Sequence, residues 1–252
     1  MEVNYPPGEQ SATPEYVLSV FKDQHRQACA LNEGDPSVVL NLNTTIEEWR
    51  DADDLLAWRG LARALNAEWK IDCPIADWKR VLEPAGKKKL ADVCGLIARV
   101  ASQPLVRPAP VFGCRGASAG AFLTLRSLLH EVGAAAEEIT PSTSLAPYTR
   151  RYPAVFLGPV SMLAPGMLPP VRVQRSSLSV ATMWCCAAGF VGMFAGLIGG
   201  APLLTAVSVI LLLIAYLFLW VAALWDKPAS VEFGELRTFR DLAKVIAAGS
   251  AA

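Results

Sequence analysis

The most informative feature of this sequence is a long stretch that lacks charge. Residues 176–225 contain no Asp, Glu, Lys or Arg. A single helix of that length would extend about 75 Å, whereas the hydrocarbon core of a bilayer is about 30 Å thick. A glycine-proline break at residues 199–202 divides the stretch into 178–198 and 203–225. Each part is long enough for one crossing, so the sequence predicts a two-helix transmembrane hairpin.

The flanks of this stretch predict its orientation. A buried hairpin in a soluble core is the alternative, but the second part is apolar on every helical face. Arg172 and Arg175 precede the first part, Lys227, Arg237 and Arg240 follow the second, and the turn carries no charge. Because basic residues favour the cytoplasmic side, we expect a multi-pass integral protein of the cytoplasmic (inner) membrane, with both termini cytoplasmic and the lipid bilayer as a partner.

Net charge and metal-binding patterns are also missing. The 23 basic and 23 acidic side chains are interspersed, so the basic surface of a nucleic-acid-binding protein is not indicated. The six cysteines form no C-x-x-C pair, which argues against a zinc site or a disulfide framework. The two histidines, His25 and His130, have no second ligand at helical spacing, so they are expected to face solvent or pack partly. No metal and no cofactor are predicted.

Helical periodicity dominates the remainder of the sequence. Thr13 and Pro14 predict the start of a helix that continues to residue 31. Apolar spacing predicts further helices at 55–69, 75–82 and 87–100, which gives a helical bundle in residues 1–103. The fold class is therefore predicted to be all-α, with small cytoplasmic helical bundles in addition to the hairpin.

Prolines separate this bundle from the residues that follow. Pro104, Pro108 and Pro110 predict an extended linker, and another amphipathic helix is predicted from Ser118 to Gly133. Residues 104–177 are interpreted as the linker and the first part of a second, degenerate bundle. The hairpin at 178–225 interrupts that bundle, and the tail at 226–252 completes it.

An internal similarity supports this division. The segment LRTFRDLAKVIA near the C-terminus aligns with KKKLADVCGLIA of the first bundle at a constant offset of 149 positions. Leu90 corresponds to Phe239, and Asp92 corresponds to Asp241. Such self-similarity predicts two copies of one structural unit.

The first copy resembles an acyl carrier protein, a four-helix bundle that carries acyl groups on a phosphopantetheine arm. TTIEEWRDADDLLAW is similar to the loop and attachment motif of that family, KIDCPIADW to its third helix, and KKKLADVCGLIA to its last helix. In the second copy, GAAAEEITPSTSL and RTFRDLAKVIA are similar to the first loop and the last helix. The resemblance implies an attachment serine, but Asp54 occupies that position and cannot form the phosphodiester.

The sequence contains one match to a catalytic sequence motif. Residues 116–120 read Gly-Ala-Ser-Ala-Gly, the G-x-S-x-G pattern that exposes a nucleophilic serine in some hydrolases. Such a hydrolase needs a strand before Ser118 and a histidine after it, and the last histidine, His130, lies in the same predicted helix. The alternative interpretation is a helix start with Ser118 as its N-cap.

Acidic and small residues allow two further hypotheses about binding. The acids between Glu47 and Asp54 are interpreted as helix-capping groups, with an acidic docking face as the alternative. In the first apolar part, small residues repeat every four positions and predict close helix packing; they are Ala188, Gly192, Gly196 and Gly200. Their expected partner is the second part of the hairpin, and a homo-oligomeric contact is the alternative.

The function predicted from these features is not catalytic. We expect a membrane-anchored protein-interaction or scaffolding module that binds an unknown protein partner at the cytoplasmic face of the membrane. A serine hydrolase that acts through Ser118 is one alternative, and a membrane-tethered acyl carrier is another. Neither apolar part contains Asp, Glu, Lys, Arg or His, so a channel or transporter is not predicted.

Overall fold

Most of the chain outside the uncharged stretch is described. The computed structural model describes residues 5–111, 114–174 and 230–249, together with parts of 187–216. Helices predominate and the strands are short, so the prediction of a mainly α fold is confirmed. The chain forms two compact units, one made of residues 1–172 and 232–252 and the other of residues 173–231.

The first helical group packs around an aromatic core. It consists of α1 (Pro14–Ala30), α2 (Ile46–Ala52), α3 (Trp58–Trp69), α4 (Ile75–Leu82) and α5 (Leu90–Ala98). The Thr13 hydroxyl accepts the Tyr16 N–H at 3.2 Å, which caps α1 as the sequence indicates. Trp78 is fully buried, and its indole N–H donates to Asn66 Oδ1 at 2.8 Å.

The second helical group is built from two distant parts of the sequence. Its first part contains α6 (Ala117–Glu131), a 3₁₀ turn (Ala136–Glu138), α7 (Ala146–Arg151), α8 (Pro153–Val155), a π-helical turn (Phe156–Val160) and α9 (Ser161–Leu163). Its last helix is α10 (Phe239–Gly249), which packs along α6. The buried face of α10 consists of Phe239, Leu242, Ala243, Ile246 and Ala247.

Short strands replace the linker that the prolines predict. Strand β1 (Gly8–Ser11) pairs antiparallel with β2 (Ser102–Leu105), so Pro104 lies opposite Glu9. Strand β3 (Ala109–Val111) pairs antiparallel with β4 (Cys114–Gly116) directly before α6. Strands β5 (Val171–Gln174) and β6 (Ser230–Phe233) form another two-stranded sheet. The extended backbone is as predicted, but these segments form paired β-strands rather than a free linker.

The two helical groups share a backbone hydrogen-bond pattern. In the first group the Leu90 N–H donates to Thr44 O at 2.9 Å, and the Ala91 N–H donates to Leu42 O at 3.0 Å. In the second group the Phe239 N–H donates to Thr143 O at 3.2 Å, and the Arg240 N–H donates to Pro141 O at 2.8 Å. The donors differ by the offset of 149 seen in the sequence, and the acceptors differ by 99.

The same correspondence extends to a bridge and a loop. Thr45 forms an antiparallel bridge with Lys89, as Ser144 does with Thr238. In the loop of each group, a threonine hydroxyl accepts a backbone N–H three residues earlier at 2.9 Å, from Asn41 to Thr44 and from Thr140 to Thr143. These bonds fix how the last helix of each group begins.

The prediction of a membrane-spanning protein is wrong for the described residues. Among them, no helix has both the length and the apolar character that a bilayer crossing requires. The multi-pass inner-membrane localisation inferred from the uncharged stretch is therefore corrected.

The predicted ridge of small residues is described only in part. A Cβ added to Gly192 would lie 2.4 Å from Ser208 Oγ, so two described stretches approach closely there. Gly200 has φ +61° in the turn, with nothing within 4 Å of such a Cβ. Ala188 and Gly196 lie outside the described residues, and the complete ridge stays a prediction.

Candidate functional site

A groove between α6 and α10 is the best candidate for a functional site. Its volume is about 350 Å³. Apolar atoms of Phe122, Leu123 and Ala243 form much of its wall. The complete lining is Ser118, Ala119, Phe122, Leu123, Pro141, Arg240, Ala243 and Lys244. The groove therefore combines an apolar surface with two cationic side chains.

Both cations belong to the first two turns of α10. Arg240 and Lys244 are exposed and occupy positions i and i+4, so they lie on one side of the helix. Within the part of the chain that the structure describes, neither is within salt-bridge distance of a carboxylate. The nearby Asp241 is engaged elsewhere, because its Oδ2 accepts the Thr238 hydroxyl at 2.8 Å and the Thr238 N–H at 3.1 Å.

These bonds also set the charge of Asp241. The hydroxyl and backbone N–H of Thr238 hold the pKa of Asp241 below its usual value, and Lys244 contributes in the same direction. Asp241 is thus ionised at neutral pH and caps α10. The cations of the groove remain available to a ligand.

The structure explains the G-x-S-x-G motif by packing. Gly116 is the N-cap of α6, so the interpretation of Ser118 as the N-cap is wrong, and Ser118 lies exposed in the first turn. A Cβ added to Gly120 would lie 1.9 Å from Arg107 O, so the chain before β3 crosses α6 where only glycine fits.

The surroundings of Ser118 do not supply catalytic partners. No histidine or carboxylate is among the described residues that line its groove. His130 lies twelve residues along the same helix, about 18 Å away. The described geometry therefore gives the serine no base.

His25 forms a buried pair that the sequence interpretation missed. It was expected to be solvent-facing or partly packed, but it is 8% exposed. Its Nδ1 lies 2.5 Å from Asp53 Oδ1, and its Nε2 lies 2.9 Å from Val38 O. Both contacts are with oxygen acceptors, so the ring satisfies both when each nitrogen carries a proton. The sequence interpretation was also wrong that His25 has no potential ligand at helical spacing, since Cys29 lies at i+4, although this spacing does not reveal Asp53.

Cys29 approaches this pair without completing a catalytic triad. Its Sγ lies 3.6 Å from His25 Nε2, the nitrogen that already faces Val38 O. Desolvation, followed by the negative charges of Asp53 and Asp35, raises the pKa of the Cys29 thiol. A raised pKa disfavours the thiolate that nucleophilic chemistry needs. The cluster is therefore interpreted as structural, tying α1 to the end of α2.

Of the remaining acids of this region, one caps a helix and the others are exposed. Glu48 forms a capping box with Thr45, whose N–H and hydroxyl lower the pKa of Glu48. Glu47 and Asp51 are exposed on the surface of α2. Asp54, which occupies the attachment position implied by the carrier resemblance, is exposed in a turn with φ +46°. Its carboxylate offers no hydroxyl for a phosphopantetheine arm.

A second cavity lies between the two helical groups. Its volume is about 400 Å³, and Trp69, Leu128 and Met162 contribute to its lining. Glu68 lies in this lining, where desolvation raises the pKa of its carboxyl group. The Tyr16 hydroxyl donates to Met162 O at 2.8 Å across the same boundary, which joins the two groups.

No metal centre is formed by the residues that can be described. Among them, no three His, Cys, Asp or Glu side chains are arranged to hold an ion. Asp53 and Cys29 approach opposite nitrogens of His25 and do not converge on one point. Comparison with known proteins finds no matching family model, no matching curated protein and no matching solved structure.

Proposed function

We propose that this chain is a non-catalytic protein-interaction module whose groove between α6 and α10 docks an acidic, apolar segment of another polypeptide. The observation that carries this proposal is the pairing of Arg240 and Lys244, which lack carboxylate partners among the described residues, with the apolar wall formed by Phe122 and Leu123. The predicted role as a scaffolding module is kept without its membrane anchor.

The chemistry of the groove selects the class of ligand. Burial of apolar side chains against Phe122 and Leu123 supplies the favourable free energy of docking. Arg240 and Lys244 select carboxylates and reject basic segments, because charges at the rim contribute more to specificity and association rate than to affinity. A helix with two carboxylates at i and i+4 would present them at the spacing of the two cations.

The first helical group provides a matched comparison for this surface. By the shared hydrogen-bond register, Ala91 and Gly95 of α5 correspond to Arg240 and Lys244 of α10. Burial along α1 and α6 matches when Tyr16 is aligned with Gly120, which places Ser19 at the position of Leu123. The equivalent surface therefore lacks the paired cations.

Photocrosslinking tests the proposed function. A benzophenone amino acid placed at Leu123 in the full chain should crosslink to a polypeptide in the native cell. The double variant Arg240→Glu with Lys244→Glu should reduce the yield about tenfold, because it repels an acidic segment. The matched control carries the same amino acid at Ser19. Equal products from both positions, or no polypeptide product from Leu123, would contradict the proposal.

The serine hydrolase alternative has its own test. A fluorophosphonate probe should leave the full chain unlabelled, because the described groove supplies Ser118 with no histidine and no carboxylate. Labelling that disappears in Ser118→Ala would instead assign a nucleophile to this groove. Ser161→Ala is the control, because the Ser161 hydroxyl donates to Leu157 O and Gly158 O at 2.8 Å.

A further inference from the structure

Charge is distributed unequally between the two parts of the chain. Residues 1–103 contain 16 acidic and 12 basic side chains, whereas residues 104–252 contain 7 acidic and 11 basic ones. The net charge of zero is therefore the sum of an acidic part and a basic part. Oppositely charged surfaces on one molecule allow two copies to attract each other.

The acidic counterpart of the groove lies on α2. Glu47 and Asp51 are exposed and occupy positions i and i+4, the same spacing as Arg240 and Lys244. Neither carboxylate forms an ion pair within the described chain, and neither takes part in the capping box of Glu48. Leu56, five residues beyond Asp51 in the sequence, is 61% exposed and offers an apolar side chain to a partner.

We propose that the segment docked in the groove is α2 of a second copy of this chain. Glu47 and Asp51 of one copy would pair with Arg240 and Lys244 of the next, and Leu56 would contact the apolar wall near Phe122. This inference rests on the proposed function, because it names the occupant of the same groove. Charge complementarity at equal helical spacing is the observation that favours a second copy.

The two docking surfaces occupy different places on the molecule. Two copies satisfy both contacts at once when a two-fold axis places each groove on the α2 of the other copy. Without such an axis, a dimer leaves one groove and one α2 free, and association continues beyond two copies unless a larger ring closes. The average mass should therefore rise above that of a monomer as the concentration increases.

Two charge-reversed variants of the full chain test this contact. The groove variant is Arg240→Glu with Lys244→Glu, and the α2 variant is Glu47→Lys with Asp51→Lys. Each variant carries like charges on both surfaces, so each should associate about tenfold more weakly than the wild type. In a mixture of the two variants, both surfaces become complementary again, and association should return.

Sedimentation or light scattering at concentrations from about 1 µM to 1 mM covers the dissociation constants of weak interfaces. The expected result is association of the wild type that weakens with added salt, loss in each variant, and recovery on mixing. The double variant Arg150→Glu with Arg151→Glu makes an equal change of charge outside the groove and should associate like the wild type. Circular dichroism establishes that every variant is folded.

Three outcomes would overturn the inference. They are a wild type that stays monomeric, association that is insensitive to both reversals, and a mixture that does not recover. The second outcome would assign self-association to another surface, such as the uncharged stretch at 176–225. If the Leu123 crosslink joins a different protein and no second copy, this inference fails while the proposed function stands. If Leu123 crosslinks to no polypeptide, the proposed function itself fails.

Discussion

The last helix of the first group begins with Leu90 and Ala91, and the last helix of the second group begins with Phe239 and Arg240. Their backbone N–H groups donate to equivalent loop carbonyls, and both Leu90 and Phe239 are fully buried. The next residue differs, since Ala91 leaves the first surface uncharged and Arg240 gives the second surface a cation. The two groups therefore keep the same backbone frame while their exposed positions differ.

The cores of the two groups differ as well. The first core is rich in aromatic rings, with Phe21 and Trp49 at a centroid distance of 4.8 Å. In the second group, Tyr148 and Phe239 meet edge to face at 5.3 Å. Tyr148 follows the loop bond of its group by the same number of residues as Trp49 does in the first. The ring partners Phe21 and Phe239 do not correspond, because by the alignments above Phe21 matches Leu125 and Phe239 matches Leu90.

The largest expected effect is a loss of stability on truncating the equivalent buried residues Leu90 and Phe239. Phe239→Ala should lower the free energy of unfolding by about 3–5 kcal/mol and Leu90→Ala by about 2–5 kcal/mol, because each leaves a cavity in a packed core. Urea denaturation measures both values. A Phe239→Ala variant as stable as the wild type would contradict the equivalence of Phe239 and Leu90, since it would show that α10 is not part of a cooperative core.

The second prediction concerns a pair that only the first group contains. His25→Leu places at this position the residue found at the equivalent Leu129 of α6, and it leaves Asp53 without its partner. We expect a loss of about 3 kcal/mol, because breaking a largely buried hydrogen-bonded pair leaves the Asp53 carboxylate without its partner.

A double-mutant cycle provides the control for this pair. The variant His25→Leu with Asp53→Leu should recover part of the lost stability, since both polar partners are then absent. Urea denaturation of the two single variants and the double variant gives the coupling free energy. Simple additivity of the single losses would show that the pair does not act as a unit.

A smaller effect is expected at the helix caps. Thr45→Ala and Thr238→Ala each remove a hydroxyl that accepts a backbone N–H, at 3.1 Å in the first case and 3.3 Å in the second. Each should cost about 1 kcal/mol in the free energy of unfolding. Thermal unfolding followed by circular dichroism measures the losses. Thr45→Ser and Thr238→Ser, which retain the hydroxyl, should stay near the wild type, and equal losses in both sets would argue against capping.

The smallest expected effect is a dependence on pH that both caps share. Hydrogen bonds lower the pKa of Glu48 and of Asp241 in the folded state from their usual values of 4.5 and 3.8. Their stabilising contribution is therefore fully present above those values and is lost as the pH falls through the lowered ones. Glu48→Gln and Asp241→Asn should each flatten this acid-side loss, measured by unfolding between about pH 2 and 6. An unchanged pH profile would exclude the two carboxylates as its source.

Helical periodicity predicted much of the fold because it depends on neighbouring residues. The predicted helix at 75–82 has the observed bounds, and the start predicted near Ser118 is within one residue of Ala117. Proline spacing predicted extended backbone near Pro104, but it carries no information about the distant strand β1 that pairs there. Hydropathy of the uncharged stretch led to a membrane prediction, but no helix among the described residues is long and apolar enough to cross a bilayer.

The candidate site could be predicted only in part. The G-x-S-x-G motif indicated Ser118 as a possible nucleophile. The motif does not show that Gly120 is required where the backbone of Arg107 packs against α6. Arg240 and Lys244 lie in the tail that was predicted to complete the second bundle, but their groove depends on α6 and α10 meeting across more than one hundred intervening positions. The pair of His25 and Asp53 likewise depends on a loop closure that no local pattern encodes.

The arrangement of α6 and α10 has a consequence for synthesis on the ribosome. The buried face of α6 is translated about 110 residues before the helix that covers it. At about 5–20 residues per second, that face waits roughly 5 to 20 seconds for its cover. The first helical group contains α1 to α5 without such an interruption, so it can complete its core earlier. During that interval, the nascent chain carries one finished helical group and one unfinished group, whose open apolar face is a natural target for chaperones.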